Sequence, residues 1–127
     1  MRIRTVTGTV AQDPEEVPDA PRGASVRFTV VERTGAYLRG DWVAHPTPTT
    51  HHVEVPFPLS TAAASTLARG TEVILVGKEH TELRAAGGAQ VEVRMVRADY
   101  LGVLLSAGQR VSVEPTGTTG SWWPADY

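Results

Sequence analysis

The sequence has no cysteine, a single lysine, few aromatic residues and no long apolar run, and its charges nearly cancel. Without cysteine there is no disulfide frame, no thiolate metal site and no thiol nucleophile. The longest apolar run in the body of the chain is Val73-Ile74-Leu75-Val76, far short of the roughly 20 residues that a membrane-spanning helix needs. No membrane association is expected. The first residues, Met1-Arg2-Ile3-Arg4-Thr5-Val6-Thr7, alternate in polarity and match neither a secretory h-region nor a transit helix, so the expected location is the cytoplasm. Twelve basic residues against fourteen acids give a net charge of −2, which excludes a polybasic or acidic tail protein. At 127 residues the chain has the length of one domain with one core.

What remains is rich in glycine, proline and β-branched residues, and it reads as mostly β. Ile3 to Val10 alternates with the period of two of a half-buried strand. Asp13 to Gly23 carries three prolines and four acids without period and reads as a loop. Ala24 to Arg33 forms a second strand, with Val26, Phe28 and Val30 on one face and Arg27, Thr29, Val31 and Arg33 on the other. Residues 34–50 form a long connection holding Tyr37, Arg39 and Trp42, well beyond the usual 4–6 or so residues. The third strand, His51 to Phe57, ends at Pro56 and Pro58. Ser60 to Arg69 then has four alanines, a serine in N-cap position, an arginine in the last turn and Gly70 just past its end, the boundary signals of a helix. Glu72 to Leu83 and Val91 to Ala98 pair through a turn at Gly87-Gly88, with Val93 and Met95 facing the core. Residues 1–106 form the domain. Residues 107–127 form an extension, in which Arg110-Val111-Ser112-Val113 suggests an extra strand or hairpin before a flexible tail.

Five strands with one helix between the third and fourth is the order of the OB-fold, an all-β Greek-key barrel. At the residue level the chain resembles the bacterial single-stranded DNA-binding protein family over about residues 3–105. Val6-Thr7-Gly8-Thr9-Val10-Ala11-Gln12-Asp13-Pro14-Glu15 is similar to the family's opening strand, and Ser25-Val26-Arg27-Phe28-Thr29-Val30 to its second. Leu59 to Gly70 resembles its helix, Val73-Ile74-Leu75-Val76-Gly77-Lys78 the strand after it, and Glu92-Val93-Arg94-Met95-Val96-Arg97-Ala98-Asp99 its Thr-Glu-Val-Val-Ala-Asp signature. The resemblance implies binding of single-stranded DNA without sequence selection, in replication, recombination or repair. It also implies association with the nucleoid and assembly as a homotetramer or homodimer through the edge of the first strand.

Single strands are held by cations along the phosphates and by aromatic faces that stack on bases. The candidate phosphate contacts are Arg27, Arg33, Arg39, Lys78, His80, Arg84 and Arg94. Tyr37 and Trp42, in the long loop where the family places a stacking aromatic, are the candidate platforms, with Phe57 and His52 on the third strand. The chain also departs from the family. Glu54 lies on the presumed DNA face, and an arginine stands at position 84 where an aromatic is expected. Charges over residues 1–110 sum to zero, so binding is expected to be modest, salt-sensitive and confined to a locally basic groove. The ending Trp122-Trp123-Pro124-Ala125-Asp126-Tyr127 lacks the family's acidic run, which argues against docking of replication or repair proteins by the tail.

Catalysis and metal binding find no support. His51 and His52 are neighbours in a strand and point to opposite faces. Ser60 and Ser65 have no histidine and acid placed to activate them, and Gly87-Gly88 precedes no helix that could hold a phosphate. No cofactor is expected. The alternative to a DNA-binding barrel is an accessory interaction module of the same fold with little affinity for nucleic acid.

Overall fold

The protein is described by a computed structural model covering residues 2–19, 23–32, 35–105 and 108–115. Strict alternation of valines and other apolar residues with polar ones builds five long strands: β1 (Arg2–Val10), β3 (Gly23–Glu32), β6 (Thr49–Val55), β7 (Glu72–Ala86) and β8 (Ala89–Val103). The inward set is Val6 and Val10, then Val26, Phe28 and Val30, then Val53 and Val55, Val73 and Leu75, and Val96 and Ala98. Sheet order runs β1-β7-β8-β6-β3, and β1 returns to β3 at Thr9↔Val31 and Val10↔Val30. The five strands thereby close into an OB barrel. The pairing of β6 with β8 is parallel and the rest are antiparallel.

The helix α1 (Leu59–Thr66) packs on β3 and β6 and brings Ala63 and Leu67 to the core. Ser60 is not its N-cap, because Pro58 holds that position. Instead the Ser60 hydroxyl is buried and donates to the Ala24 carbonyl at 2.7 Å, which ties the helix to the start of β3. The helix also stops before Arg69, whose amide donates to Asp13 Oδ1 at 2.9 Å.

Two stretches read as loops contain strands. β2 (Glu15–Asp19) pairs with the first half of β3, its two prolines neighbouring or lying in an edge strand whose outer side has no ladder to complete. Within the long connection, β4 (Gly35–Leu38) and β5 (Asp41–Ala44) form a separate two-stranded hairpin. Arg39 and Gly40 make its turn, both at positive φ, 55° and 85°. A two-residue turn of this hand favours glycine, asparagine or aspartate, so the arginine holds the tip against local preference. The β7–β8 hairpin turns at Gly87-Gly88 as expected, with φ 58° and 82°. Residues 108–115 contain no strand, so Arg110–Val113 adds no hairpin, and the tail from Thr116, with Trp122 and Trp123, lies outside the described residues. Among the described residues no helix is long and apolar enough to cross a membrane.

Candidate nucleic-acid interface

The alternation that buries one side of each strand exposes the other, and the ladders fix which exposed side chains become neighbours. Across β2, β3, β6, β8 and β7 one level of the sheet carries Glu15, Arg27, Glu54, Arg97 and Lys78. The next level carries Thr29, His52, Met95 and His80. Carboxylates and cations thus alternate from Glu15 to Arg97, the arrangement that stabilises cross-strand pairs, and only Arg97 and Lys78 set like charges side by side in that row.

Arg27 is the hub. Its Nε and Nη2 donate to Glu54 Oε2 at 3.1 and 3.0 Å, and Nη2 also reaches Glu82 Oε1 at 3.3 Å. His80 Nε2 lies 3.3 Å from the same Glu82 oxygen, and Arg84 Nη2 lies 3.5 Å from Glu82 Oε2 and 3.6 Å from Met95 Sδ. Burial works to raise the Glu82 carboxyl. The hydrogen bond to His80 and the charges of Arg27, Arg84 and His80 outweigh it, and the group stays ionised to lower pH than an ordinary glutamate. The charges of Arg27 and Arg84 are matched by those of Glu54 and Glu82, so the centre of the face is not the basic groove that the sequence suggested. Among the described residues Lys78 and Arg97 form no ion pair, and they supply the uncompensated charge of the face. Beside Arg27 lies an open depression of about 470 Å³, lined by Gln12, Glu15, Thr29, His52, Arg84 and Met95 among others.

The structure therefore gathers Arg27, His52, His80 and Arg84 on one face, with Lys78 at its edge. It separates Arg94. Val96 and Ala98 face the core, so Met95 faces outward and Arg94 inward, one residue out of step with the expected alternation. Met95 is nevertheless buried, covered on the outer face by Arg84. Arg94 pairs with Glu79 at 3.1 Å, beside Arg4, beyond the end of the core. Arg97, which the sequence reading passed over, takes the outward place. Phe57 is exposed past the end of β6, with its ring against Gly23. Arg33 lies outside the described residues.

Tyr37 and Trp42 face each other across the β4–β5 hairpin, ring centroids 5.3 Å apart and edge to face at 65°. They are 74% and 52% exposed, so a large apolar area stays open to solvent at a place where no core requires it. Gly35 makes room for the indole, since a Cβ there would lie 2.6 Å from Trp42 Cζ2. Arg39 stands at the hairpin tip. The hairpin leaves the barrel between Glu32 of β3 and Thr49 of β6, the two strands that carry Arg27 and His52.

Glu54, His80 and Glu82 also bring one ligand atom each within 4.8 Å of one another, a grouping that spacing in the sequence does not suggest. Arg27 and Arg84 already compensate these carboxylates, and their charges oppose a further cation.

No protein-family model and no curated protein sequence matches the chain. In three dimensions it is similar to the small single-stranded DNA-binding protein of Streptomyces coelicolor, with a TM-score of 0.71 and 24% sequence identity over 82% of this chain and 94% of that one. The five-stranded barrel with its single helix is thus the OB-fold that the order of strands announced, shared along nearly the full length of that protein.

Proposed function

We propose that this protein binds single-stranded DNA, laying the strand along the outer face of β3, β6, β8 and β7 and stacking bases on Tyr37 and Trp42. The observation that carries the reading is the exposed Tyr37–Trp42 pair on the hairpin that joins β3 to β6, two strands of that face. The likeness in fold to a single-stranded DNA-binding protein supports it. Lys78, Arg97 and Arg39 are the phosphate contacts of first rank. Arg27 and Arg84 must exchange carboxylate for phosphate before they contribute. Binding is accordingly modest, without selection for an ordered sequence, and carries no catalytic step. The same reading assigns the protein to replication, recombination or repair, processes that expose single strands, and to the cytoplasm in association with the nucleoid. β1 pairs with β7 along its length but with β3 only at Thr9 and Val10, and the remaining edge supports a homodimer or homotetramer.

Titration with an unlabelled poly-pyrimidine strand is the direct test. Tryptophan fluorescence should be quenched, Trp42→Phe should remove most of the quenching, and Trp42→Ala should in addition weaken binding by about 1–3 kcal/mol for the base stacked there. Absence of both quenching and a gel shift would refute the proposal and favour a module that binds protein alone.

A further inference from the structure

The centre of the outer face is an unsuitable bed for phosphate. A polyanion placed there meets Glu54 and Glu82, whose repulsion cancels the attraction of Arg27 and Arg84. A base edge meets the same groups differently. Cytosine, adenine and guanine each carry an exocyclic amino group that a carboxylate accepts, and an adjacent guanidinium can donate to the neighbouring ring nitrogen or carbonyl. Thymine has no amino group and presents carbonyl oxygens on both sides of its single N–H, so in the register that cytosine takes it sets lone pairs against the carboxylates and its N–H against the guanidinium.

Resting on the nucleic-acid reading above, we infer that the Glu54–Arg27–Glu82 row selects bases by chemical class, favouring amino-bearing bases and, among pyrimidines, cytosine over thymine. The acceptors are fixed before a base arrives. Glu54 takes two bonds from Arg27 and one from Ser25, all on Oε2, and none of these three falls on Oε1. Glu82 is held through Oε1 by Arg27 and His80 and through Oε2 by Arg84. Donors and acceptors held in this way need little rearrangement, which is what makes a missing partner costly. The depression that Arg27 and Arg84 help to line leaves room for a base beside the row, while the phosphates pass toward Lys78 and Arg97.

The test compares labelled oligo(dC) and oligo(dT) of equal length, binding to the full chain at one salt concentration and neutral pH, read by fluorescence anisotropy. Oligo(dC) should bind about tenfold more tightly, the lower range for paired hydrogen bonds to a base edge. An oligomer carrying 2-pyrimidinone in place of cytosine, which lacks only the amino group, should behave like oligo(dT). Glu54→Gln and Glu82→Gln should bring the ratio toward one, chiefly by tightening oligo(dT), since an amide can donate to a thymine carbonyl. If the wild-type protein binds oligo(dT) as tightly as oligo(dC), or if 2-pyrimidinone keeps the advantage of cytosine, the inference is wrong while the nucleic-acid reading stands. Failure to bind any of the three oligomers overturns both. The 2-pyrimidinone comparison uses unaltered protein and is independent of how the variants fold.

Discussion

Gly77→Ala offers the sharpest check on the way the barrel sets its outer face. Gly77 lies on the inward side of β7, immediately after the shift in register between Val76 and Gly77, and pairs with Ala98 of β8. A Cβ at this position would lie 2.2 Å from the Arg97 carbonyl oxygen and 2.7 Å from its carbon, where ordinary contacts begin near 3.4 Å. Both obstacles are backbone, so no rotamer relieves them, and the two strands must part by about 1.2 Å, from 2.2 to 3.4 Å. That separation breaks one or two ladder bonds, at about 0.5–1.5 kcal/mol each and more where a buried group is orphaned, and adds about 1–3 kcal/mol of overpacking. Alanine recovers about 0.4–1 kcal/mol by restricting the unfolded chain. The balance is a loss of about 2–4 kcal/mol, a fall in Tm of roughly 8–15 °C for a domain of this size. Urea unfolding and thermal melting measure it. Gly102→Ala is the control, because its nearest neighbour would be the Ile74 side chain at 3.4 Å, and its Tm should hold. A Gly77→Ala protein as stable as the wild type would show that β8 does not approach β7 as described, and the placement of Arg97 beside Lys78 would fall with it.

Arg97→Gln should lower affinity for single strands and reduce the slope of log K against log salt by about 0.7, the share of one phosphate contact on a single strand; an unchanged slope removes Arg97 from the path. Glu82 has its folded value held below the ordinary 4.5, so the stability it contributes is present above that value and is lost as pH falls through the lower, folded one. Chemical unfolding from about pH 7 to about pH 3 should therefore show a steeper acid loss for the wild type than for Glu82→Gln, and parallel curves would contradict the pairing with His80, Arg27 and Arg84.

Strands whose apolar positions are buried over their whole length were legible in the sequence: Val26, Phe28 and Val30, or Val53 and Val55, can face only one way. The β7–β8 turn was legible too, because Gly87 and Gly88 adopt backbone angles that few other residues tolerate. β8 was misread for a physical reason. Its first half runs past the end of the core, where Val91 is exposed and the apolar residues of the arm no longer mark the inside. Met95, closest to the true core, is buried on the outer face by Arg84, so its apolar character pointed the wrong way. A shift of one residue exchanges the two faces of a strand, and Arg94 and Arg97 changed places. β2 was hidden by its proline, and β4–β5 by four-residue strands too short to show a period. Glu54 stood out from the start as a charge of the wrong sign. What the sequence could not show is that Arg27 and Glu82, 55 positions apart, meet it on the folded sheet.

The connectivity of the barrel also bears on how it is made. β1 finds most of its partners on β7, from Thr9↔Glu72 to Arg2↔Glu79, and little on the strands that follow it directly. During synthesis Arg2–Val10 leaves the ribosome long before Glu72–Ala86, so the first strand, anchored to β3 only at Thr9 and Val10, must wait with the ladder from Arg2 to Gly8 unmade while β3, β6 and α1 assemble beside it. Closing so long a loop late favours slow folding. A ribosome-stalled chain ending before β7 should therefore expose an unpaired apolar strand to chaperones, and one extended through β8 should not.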